Sequence, residues 1–417
     1  MKPNIMELVV EQDKCIGCGV CEAICPVDVL PMKFGKFGIF EPHEIDGCLD
    51  KCTLCIDVCP FIEENEDEIK LSKTIYADEE GVTFHQELGY VVETYASYVL
   101  NKSKRVKSAS GGIGNFVLKK LIEDDVVDCV LTIAPTSYPE QLFRFDVFKS
   151  EEELNSSVGS VYYPTEISEV LDYVMKNEGR YAITLLPCYA KAIRLAQQKN
   201  RLLRKRIKVV VGLVCGQMKS KFFTDELAKI ALNGKTAKEV SYRVKNPDKP
   251  ASNFSFQFIA EDGEKKQMSW STEPSVFWTN RMFTPSACNH CIDTFAYTAD
   301  IVLMDAWLPE YVQNYLGHTL LIVRRNDLKE LLESYNGKEI ALNKISVQDV
   351  YKSQEGVVKN KSYFSQNKAN GLMRVIVNMK KVVQERSFNQ SYKSLKKYIL
   401  LIKIVQRVSN RLTRIIK

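Results

Sequence analysis

Eight cysteines lie before residue 60 and fall into two similar motifs. The first reads C-x2-C-x2-C-x3-C-P, and the second reads C-x3-C-x2-C-x3-C-P. A four-iron cubane needs four thiolates, whereas one tight loop supplies three, so the cysteine before each proline reaches the other cluster. The spacing therefore predicts a module at residues 1–62 with two [4Fe–4S] clusters. The predicted ligands are Cys15, Cys18, Cys21 and Cys59 for one cluster, and Cys48, Cys52, Cys55 and Cys25 for the other.

Two other kinds of metal site use related spacings. Zinc ribbons pair one C-x2-C with a distant C-x2-C, but they do not require two C-x3-C-P endings. Radical S-adenosylmethionine enzymes use C-x3-C-x2-C and leave one iron without a cysteine. Here a fourth cysteine and a complete partner motif lie close by, so the extra residue between Cys48 and Cys52 is interpreted as a loop insertion. Gly17 and Gly19 are expected to let the backbone approach the cluster.

Charge is distributed unevenly along the 417 residues. The net charge is +5, but nine basic residues and no acidic one follow Glu385, which leaves −4 on residues 1–385. The apolar run Leu8-Val9-Val10 is too short for a signal peptide, and no stretch approaches the ~20 apolar residues of a membrane span. Without an export signal, so many cysteines are expected where thiols stay reduced, which predicts a cytoplasmic protein that binds metal.

The region after the cysteine module changes character. Residues 63–85 are acidic without a clear period and are predicted to be a linker. Over 86–325, β-rich apolar runs alternate with helix-like stretches, which predicts an α/β domain. The alternating run around Asp262-Gly263 predicts a β-hairpin. The predicted fold class is thus a multidomain α+β and α/β chain: a bacterial-type dicluster ferredoxin, a central α/β domain, and a helical extension over 326–417.

Three features of the central region carry chemistry. The first is "SASGGIGNFVLKK", where Ser110, Gly111, Gly112 and Gly114 precede or open an amphipathic helix. The amides at such a helix start can bind phosphate, but a Ser-Gly-Gly turn also serves as a plain cap. The G-x-G-x-x-G spacing is absent.

The second feature is a scattered set of four cysteines. They are Cys188, Cys215, Cys288 and Cys291. The first two each follow an apolar strand, at the sheet edge where α/β proteins bind ligands. The four predict a third [4Fe–4S] site, although Cys188 and Cys215 could also be buried small hydrophobes. Cys129, within an apolar strand, is predicted to be core.

The third feature is a set of acids near the last predicted strand of the domain. It comprises Asp293, Asp300 and Asp305, with His290 and Trp307 nearby. Asp300 could cap a turn, whereas Asp305, at a strand end, could accept a hydrogen bond from a ribose or a flavin.

Together these segments resemble the family of coenzyme F420 hydrogenase/dehydrogenase β subunits over most of residues 1–325. The resemblance lies in "ASGGIGNFVLKKLIEDDVVDCVL", "VGSVYYPTE", "LLPCYAKAIR", "GLVCGQ" and "CNHCIDTFAYTADIVLMDAW". Members hold FAD beside a [4Fe–4S] cluster and move electrons to or from a deazaflavin or another two-electron acceptor. The resemblance implies that Ser110, Gly111 and Gly112 hold the FAD phosphates and that Asp305 lies near the isoalloxazine or ribose. It also implies that the central α/β domain is of flavin type and that the four central cysteines hold a third cluster.

The chain departs from the family pattern at three places. It has Tyr189 after Pro187-Cys188 where the family has glutamine, Val161 where the family has lysine, and Met304 before Asp305 where the family has glycine. Lost polar groups put the flavin or its acceptor in doubt. We therefore expect an iron–sulfur oxidoreductase, with a non-catalytic relay or docking subunit, accessory to cell-envelope polysaccharide synthesis, as the alternative.

Expected partners are a redox protein or subunit and a small-molecule hydride acceptor. Nucleic acid is not expected, because the body of the chain is acidic. Residues 386–417 mix aliphatic and basic residues at helical intervals. They predict either a membrane-surface helix, which would make the protein peripheral at the inner membrane face, or a helix packed on the body.

Overall fold

The computed structural model describes residues 4–136, 140–157 and 159–416. The cysteine module contains a π-helical turn at Met6–Val10, two one-turn helices and a two-stranded hairpin. Its elements are α1 (Val20–Ala23), β1 (Met32–Phe34), β2 (Phe40–Pro42) and α2 (Leu54–Asp57). Strands β1 and β2 pair antiparallel, so the apolar stretch between the two motifs forms a hairpin.

The acidic segment after the module, expected to be an irregular linker, contains a helix. This is α3 (Glu68–Tyr76), which begins where the Asp67 side chain accepts a hydrogen bond from the Lys70 amide. Its inward side buries Leu71 and Tyr76. The acidic composition concealed this apolar face because most of the acidic residues flank the helix, and the one acid within it, Glu68, is buried. A short antiparallel pair follows, β3 (Thr83–His85) and β4 (Gly89–Val91).

An eight-stranded mixed sheet forms the centre of the chain, in the order β15-β5-β14-β13-β9-β8-β6-β7. Strands β6, β8, β9 and β13 run parallel, whereas β7 and β14 pair antiparallel with their neighbours. Both edges therefore carry antiparallel strands. The strands are β5 (Glu93–Val99), β6 (Cys129–Pro135), β7 (Phe143–Phe148), β8 (Tyr181–Leu185), β9 (Ile207–Leu213), β13 (Ile301–Asp305), β14 (Thr319–Val323) and β15 (Ile340–Lys344).

Ten helices accompany this part of the described chain. They are α4 (Lys102–Lys107), α5 (Ile113–Glu123), α6 (Glu151–Leu154), α7 (Ser168–Lys176), α8 (Pro187–Lys199), α9 (Arg201–Arg206), α10 (Lys221–Ala231), α11 (Glu273–Thr279), α12 (Pro309–Val312) and α13 (Asn326–Ser334). Helices cover both faces of the sheet, which explains why the central strands read as continuous apolar runs.

The two faces of the sheet belong to two separate cores. Val209 and Val211 of β9 pack with α5 and α13 on one face. Val210 of the same strand packs on the other face with α7 and α8. That second core also contains Ile16, Val20 and Val58 of the cysteine module. The module and the sheet domain therefore share one hydrophobic core.

A smaller antiparallel sheet stands beside the large one. Its strands are β10 (Glu239–Val244), β11 (Ser255–Ile259) and β12 (Lys265–Ser269). The last two form the hairpin predicted around Asp262-Gly263, where Gly263 has φ +82°. The three strands form a third core, rich in aromatic residues, together with α10 and α11.

Three helices end the chain: α14 (Val347–Ser365), α15 (Gly371–Ser387) and α16 (Tyr392–Ile416). The inner face of α16 packs on the aromatic core through Leu395, Ile399 and Ile402. Among the described residues, no helix is both long enough and apolar enough to cross a membrane.

Candidate functional site

The structure brings together both sets of cysteines expected in the N-terminal module. Burial raises the pKa of Cys21 well above its ordinary value, and the neighbouring Cys18, Cys15 and Cys59 thiols raise it further. In the second set, burial raises the pKa of Cys55 to about 11. Its electrostatic neighbours are Cys52, Cys48 and Cys25. Each thiol before a proline thus lies with the other motif, the arrangement that two cubanes sharing eight cysteines require.

Gly17 and Gly19 allow two close approaches around the first motif. Both have positive φ, +72° and +82°. A β-carbon on Gly17 would lie 2.3 Å from the Phe40 carbonyl oxygen, and one on Gly19 would lie 2.4 Å from a carboxylate oxygen of Glu166. Next to this contact, the Ile167 amide donates to the Cys18 carbonyl at 3.0 Å. Gly19 therefore lets the sheet domain approach the cysteine loop.

The four central cysteines line one cavity. Cys188 lies in the first turn of α8, directly after β8, and Cys215 follows β9. Cys288 lies in a 3-10 turn at Ser286–Asn289, and Cys291 follows that turn. Burial raises the pKa of Cys188 well above its ordinary value, and Cys291, Cys215 and Cys288 are its nearest charged neighbours. The strand ends of a parallel sheet and one loop thus bring four thiols to one place.

Two buried cations stand against these thiols, and sequence reasoning missed both. The Lys361 ammonium, from α14, donates a hydrogen bond to the Cys291 sulfur at 3.2 Å. Burial lowers the pKa of Arg281 to about 10, and the Cys288 and Cys215 thiols oppose that shift. A signal for Lys361 existed, because it shares the apolar stripe of α14 with Val350, Val357 and Phe364.

Tyr189 joins the cysteine module to the central cavity. It is the residue after Cys188, and its buried hydroxyl donates to the Thr165 carbonyl at 2.8 Å. The carbonyls of Gly17 and Ile16, beside Cys15 and Cys18, lie at 3.3 and 3.4 Å. The cavity wall itself includes Ile16 and Phe61 of the module. The first cysteine set and the central set are therefore immediate neighbours.

A second cavity lies beyond the end of β13. Its wall includes Ser110, Arg243, Lys245, Asp305, Trp307 and His318. The Asp305 carboxylate accepts two hydrogen bonds from the Arg243 guanidinium, both at 2.9 Å. Burial lowers the pKa of Lys245 to about 7, although its ammonium donates to three carbonyl oxygens. Cations, a carboxylate and an aromatic ring thus surround this space.

The glycine-rich turn before α5 forms part of the second cavity. The Ser110 hydroxyl donates to the His318 carbonyl at 2.7 Å, and the Gly111 amide donates to the Thr319 hydroxyl at 3.1 Å. A β-carbon on Gly111 would lie 2.8 Å from the Ser97 carbonyl oxygen. Gly112, with φ +87°, is the N-cap of the helix, and Gly114 lies in its first turn. Ser110 and Gly111 are thus already paired and shape the turn, while the first amides of α5 face outward from the helix.

The remaining acids of the predicted set have structural partners. Asp300 is buried and accepts hydrogen bonds from Arg194 at 2.8 Å, from the Tyr76 hydroxyl at 3.0 Å and from the Val210 amide at 2.6 Å. It therefore anchors α3 and α8 to the sheet instead of capping a turn. Asp293 is buried beside the central cysteines, and burial raises its pKa to about 6. His290 is exposed.

Within the described residues, no three His, Cys, Asp or Glu side chains lie close enough to share a single metal ion. A four-iron cluster places different demands on its ligands, because each thiolate binds a different iron atom. The central site supplies four thiols, and the buried Arg281 Nε and Asp293 Oδ1 have no hydrogen-bond partner. Buried cations beside the thiols fit a group that carries negative charge.

The fold and the N-terminal motifs define an iron–sulfur electron-transfer protein with a ferredoxin module on a mixed α/β sheet. A family model for a 4Fe-4S dicluster domain matches residues 9–62. Two further models, for the N-terminal and C-terminal parts of the coenzyme F420 hydrogenase/dehydrogenase beta subunit, match residues 94–172 and 178–348. The chain belongs to the family of coenzyme F420 hydrogenase/dehydrogenase β subunits.

Individual relatives agree with this assignment. The chain is 22% identical to a subunit of the F(420)H(2) dehydrogenase of Methanosarcina mazei, over 82% of this chain and 90% of the relative. It is also 22% identical to the coenzyme F420-dependent sulfite reductase of Methanocaldococcus jannaschii, over 86% of this chain but only 53% of that enzyme. A chain from the F420-reducing [NiFe] hydrogenase complex of Methanosarcina barkeri has the same fold, with a TM-score of 0.52 and 15% identity. That likeness covers 68% of this chain and 94% of the other.

Proposed function

We propose that this protein is an oxidoreductase that moves electrons between ferredoxin-type clusters and a two-electron acceptor of flavin or deazaflavin type. When bound, three [4Fe–4S] clusters would supply one-electron steps, and FAD would supply the conversion to hydride transfer. The observation that carries the proposal is the shared wall between the first cysteine set and the central cavity, formed by Ile16, Phe61 and Tyr189. Such adjacency serves no purpose in two independent metal sites.

The residues around the central cavity are suited to hold an iron–sulfur cluster away from water. Cys188, Cys215, Cys288 and Cys291 would provide the four thiolates. Apolar side chains close the space around them, with Ile16 and Phe61 from the cysteine module and Leu186 and Met218 from the sheet domain. A low-dielectric wall of this kind strengthens every electrostatic contact to the bound group. We assign the eight N-terminal cysteines to the two ferredoxin clusters by the pairing described above.

The cavity beside Asp305 is the proposed place for FAD. Two buried polar atoms there, His318 Nδ1 and Arg243 Nε, have no partner within the described chain. Trp307 offers a planar face, and Arg243 fixes the Asp305 carboxylate in position. Because Ser110 and Gly111 are already hydrogen-bonded, the amides at the start of α5, around Gly114, are the proposed phosphate donors.

Anaerobic reconstitution tests the proposal directly. Protein refilled with iron and sulfide and incubated with FAD is expected to hold about twelve iron atoms, four for each of three clusters, and one flavin. Metal analysis and flavin extraction after gel filtration measure both quantities. About eight iron atoms and no flavin would defeat the proposal.

A non-catalytic relay or docking subunit is the second candidate function. The paired state of Ser110 and Gly111, and the replacement of a family glutamine by Tyr189, favour it. About twelve iron atoms without flavin would select this alternative, including its version as an accessory to cell-envelope polysaccharide synthesis. Either function requires a redox partner, and the Methanosarcina mazei relative is itself named as one subunit of a dehydrogenase. A small hydride acceptor is proposed for the first candidate only.

The outer face of α16 is proposed to contact an anionic membrane surface. Leu400, Leu401, Ile404, Val408 and Leu412 are exposed there, next to the basic residues after Glu385. Aliphatic residues flanked by lysine and arginine suit the boundary between headgroups and acyl chains. The inner face of α16 packs on the body. The two sequence interpretations therefore concern different sides of the same helix.

Liposome sedimentation tests the membrane contact with variants that change only exposed residues of α16 and leave the packed core intact. The full chain is expected to sediment with vesicles that contain phosphatidylglycerol, and less with pure phosphatidylcholine. A variant with Leu401→Gln and Val408→Gln is expected to stay in the supernatant. The same result for both proteins would sink the idea.

A further inference from the structure

The ammonium of Lys361 lies deep inside the protein at the central cysteine site. Only 4% of the residue is exposed. Its Nζ donates to the Cys291 sulfur at 3.2 Å and to the main-chain oxygen of Asp293. A buried charge is costly without a compensating negative group. Lys361 also lies beyond residue 348, where the match to the family model ends.

Arg281 adds a second buried cation near the same thiols. It is held in a left-handed conformation, with φ +57°, and donates to the Asn289 side chain at 2.9 Å. Its guanidinium lies over the Phe364 ring, 4.2 Å from the centroid. Neither Arg281 nor Lys361 forms an ion pair with a carboxylate in the described chain, although Asp293 is near Lys361. The thiols and the single Asp293 carboxylate are the groups near enough to balance both charges.

The neighbouring ferredoxin site has the opposite surroundings. Glu166 stands close to Cys18, and Glu41 stands near Cys15. One cation, Lys191, lies near Cys59, but it is paired with Glu68 at 3.2 Å. Two sites that share a wall thus differ in charge. Two carboxylates and a paired lysine lie near the first, whereas two buried cations and a single carboxylate, Asp293, lie near the second.

We propose that Lys361, with Arg281, makes the central cysteine site the electron-accepting neighbour of the first ferredoxin site. The inference rests on the proposed third cluster. Reduction transfers one electron, so the ferredoxin cluster is oxidised by one electron while the central cluster gains one negative charge. Positive charge and an N–H donor to a ligand sulfur both favour the more negative state and raise the reduction potential. In this assignment Lys361 is a positioning residue that tunes the reduction potential through its hydrogen bond to the Cys291 sulfur.

Potentiometric titration followed by electron paramagnetic resonance tests the assignment in reconstituted full-length protein. In Lys361→Met, we expect the central cluster to need a lower potential for reduction. Its reduced-to-oxidised ratio at the wild-type midpoint should fall at least tenfold, a shift of about 59 mV for a one-electron couple. The two ferredoxin signals should not move. Lys361→Arg, which keeps the charge, is expected to stay near the wild-type potential.

Lys359→Met is the matched control, because Lys359 lies on the same helix and pairs with Glu355 at the surface. The assignment is overturned if Lys361→Met leaves the central potential unchanged, or if the Met and Arg variants shift it equally. If Lys361→Met assembles no central cluster, Arg281→Gln provides the same comparison, with the same downward shift expected. A wild-type protein with only the two ferredoxin clusters would instead refute the proposed function, which iron content reveals before any potential is measured.

Discussion

Replacing Tyr189 with phenylalanine removes one oxygen atom from the contact between the ferredoxin module and the sheet domain. The hydroxyl donates to Thr165 at 2.8 Å, with two carbonyls of the module at 3.3 and 3.4 Å. Burial excludes water as a replacement donor. Leaving a buried acceptor unpaired costs about 1–3 kcal/mol. We therefore expect the opening equilibrium of this contact to increase by roughly 5–150-fold.

Amide hydrogen exchange with peptide resolution measures this opening locally. Peptides that cover residues 15–21 and 162–168 are expected to exchange faster in Tyr189→Phe by that factor. Peptides from β9 are expected to keep their wild-type rates. Tyr181→Phe is the matched control, because this buried tyrosine donates to the Asn177 carbonyl, away from the module. Unchanged exchange at residues 15–21 would refute the reasoning, as would an equal increase in every peptide.

Three further outcomes follow from the same contacts. Asp300→Asn leaves Arg194 buried without its charged partner, so it is expected to lower the free energy of unfolding by about 3–5 kcal/mol in a denaturant titration. Asp327→Asn, in an exposed ion pair, should change that free energy by about 1 kcal/mol or less. Cys288→Ser is expected to lose about a third of the bound iron, while Cys129→Ser, in the core of β6, keeps it; equal iron in both would contradict the third cluster. Burial lowers the pKa of His318 to about 4, so the unfolded chain binds one more proton than the folded chain as the pH falls from 6.5 through 4, and stability is lost over that range. His318→Gln is expected to reduce this loss in thermal melts recorded across the same pH range. Identical profiles for the two proteins would show that His318 does not cause the loss.

Regular spacing makes the ferredoxin module predictable from the sequence. Two C-x3-C-P endings specify how eight thiols are shared, because the chemistry of a cubane fixes the geometry that the loops must reach. The family and the large α/β sheet are also predictable, from segments around Cys188, Cys215 and Asp305. The residue pairs on which the proposals rest are not predictable from the sequence. Lys361 and Cys291 are 70 residues apart, and no local pattern indicates that a C-terminal helix returns to this cavity.

The acidic stretch after residue 62 and the residue Asp300 differ from their sequence-based expectations for a common physical reason. The charge of the acidic stretch after residue 62 indicates an irregular linker, yet α3 is held by the buried hydrogen bond from Tyr76 to Asp300, 224 residues away. The position of Asp300 suggests a local cap, yet its partners come from three different elements. In both cases a long-range contact decides the role of a residue that looks local in the sequence.

Helix α14 contacts both cavities with one side. Gln354 donates to the main-chain oxygen of Asp305 at 2.9 Å, and Lys361, seven residues later, reaches Cys291. Seven residues of helix span about 10 Å. Because α14 contacts both sites, the helix cannot shift along its axis without disturbing the proposed flavin pocket and the proposed cluster together. Binding or bending of the C-terminal extension therefore disturbs both proposed sites in a single movement.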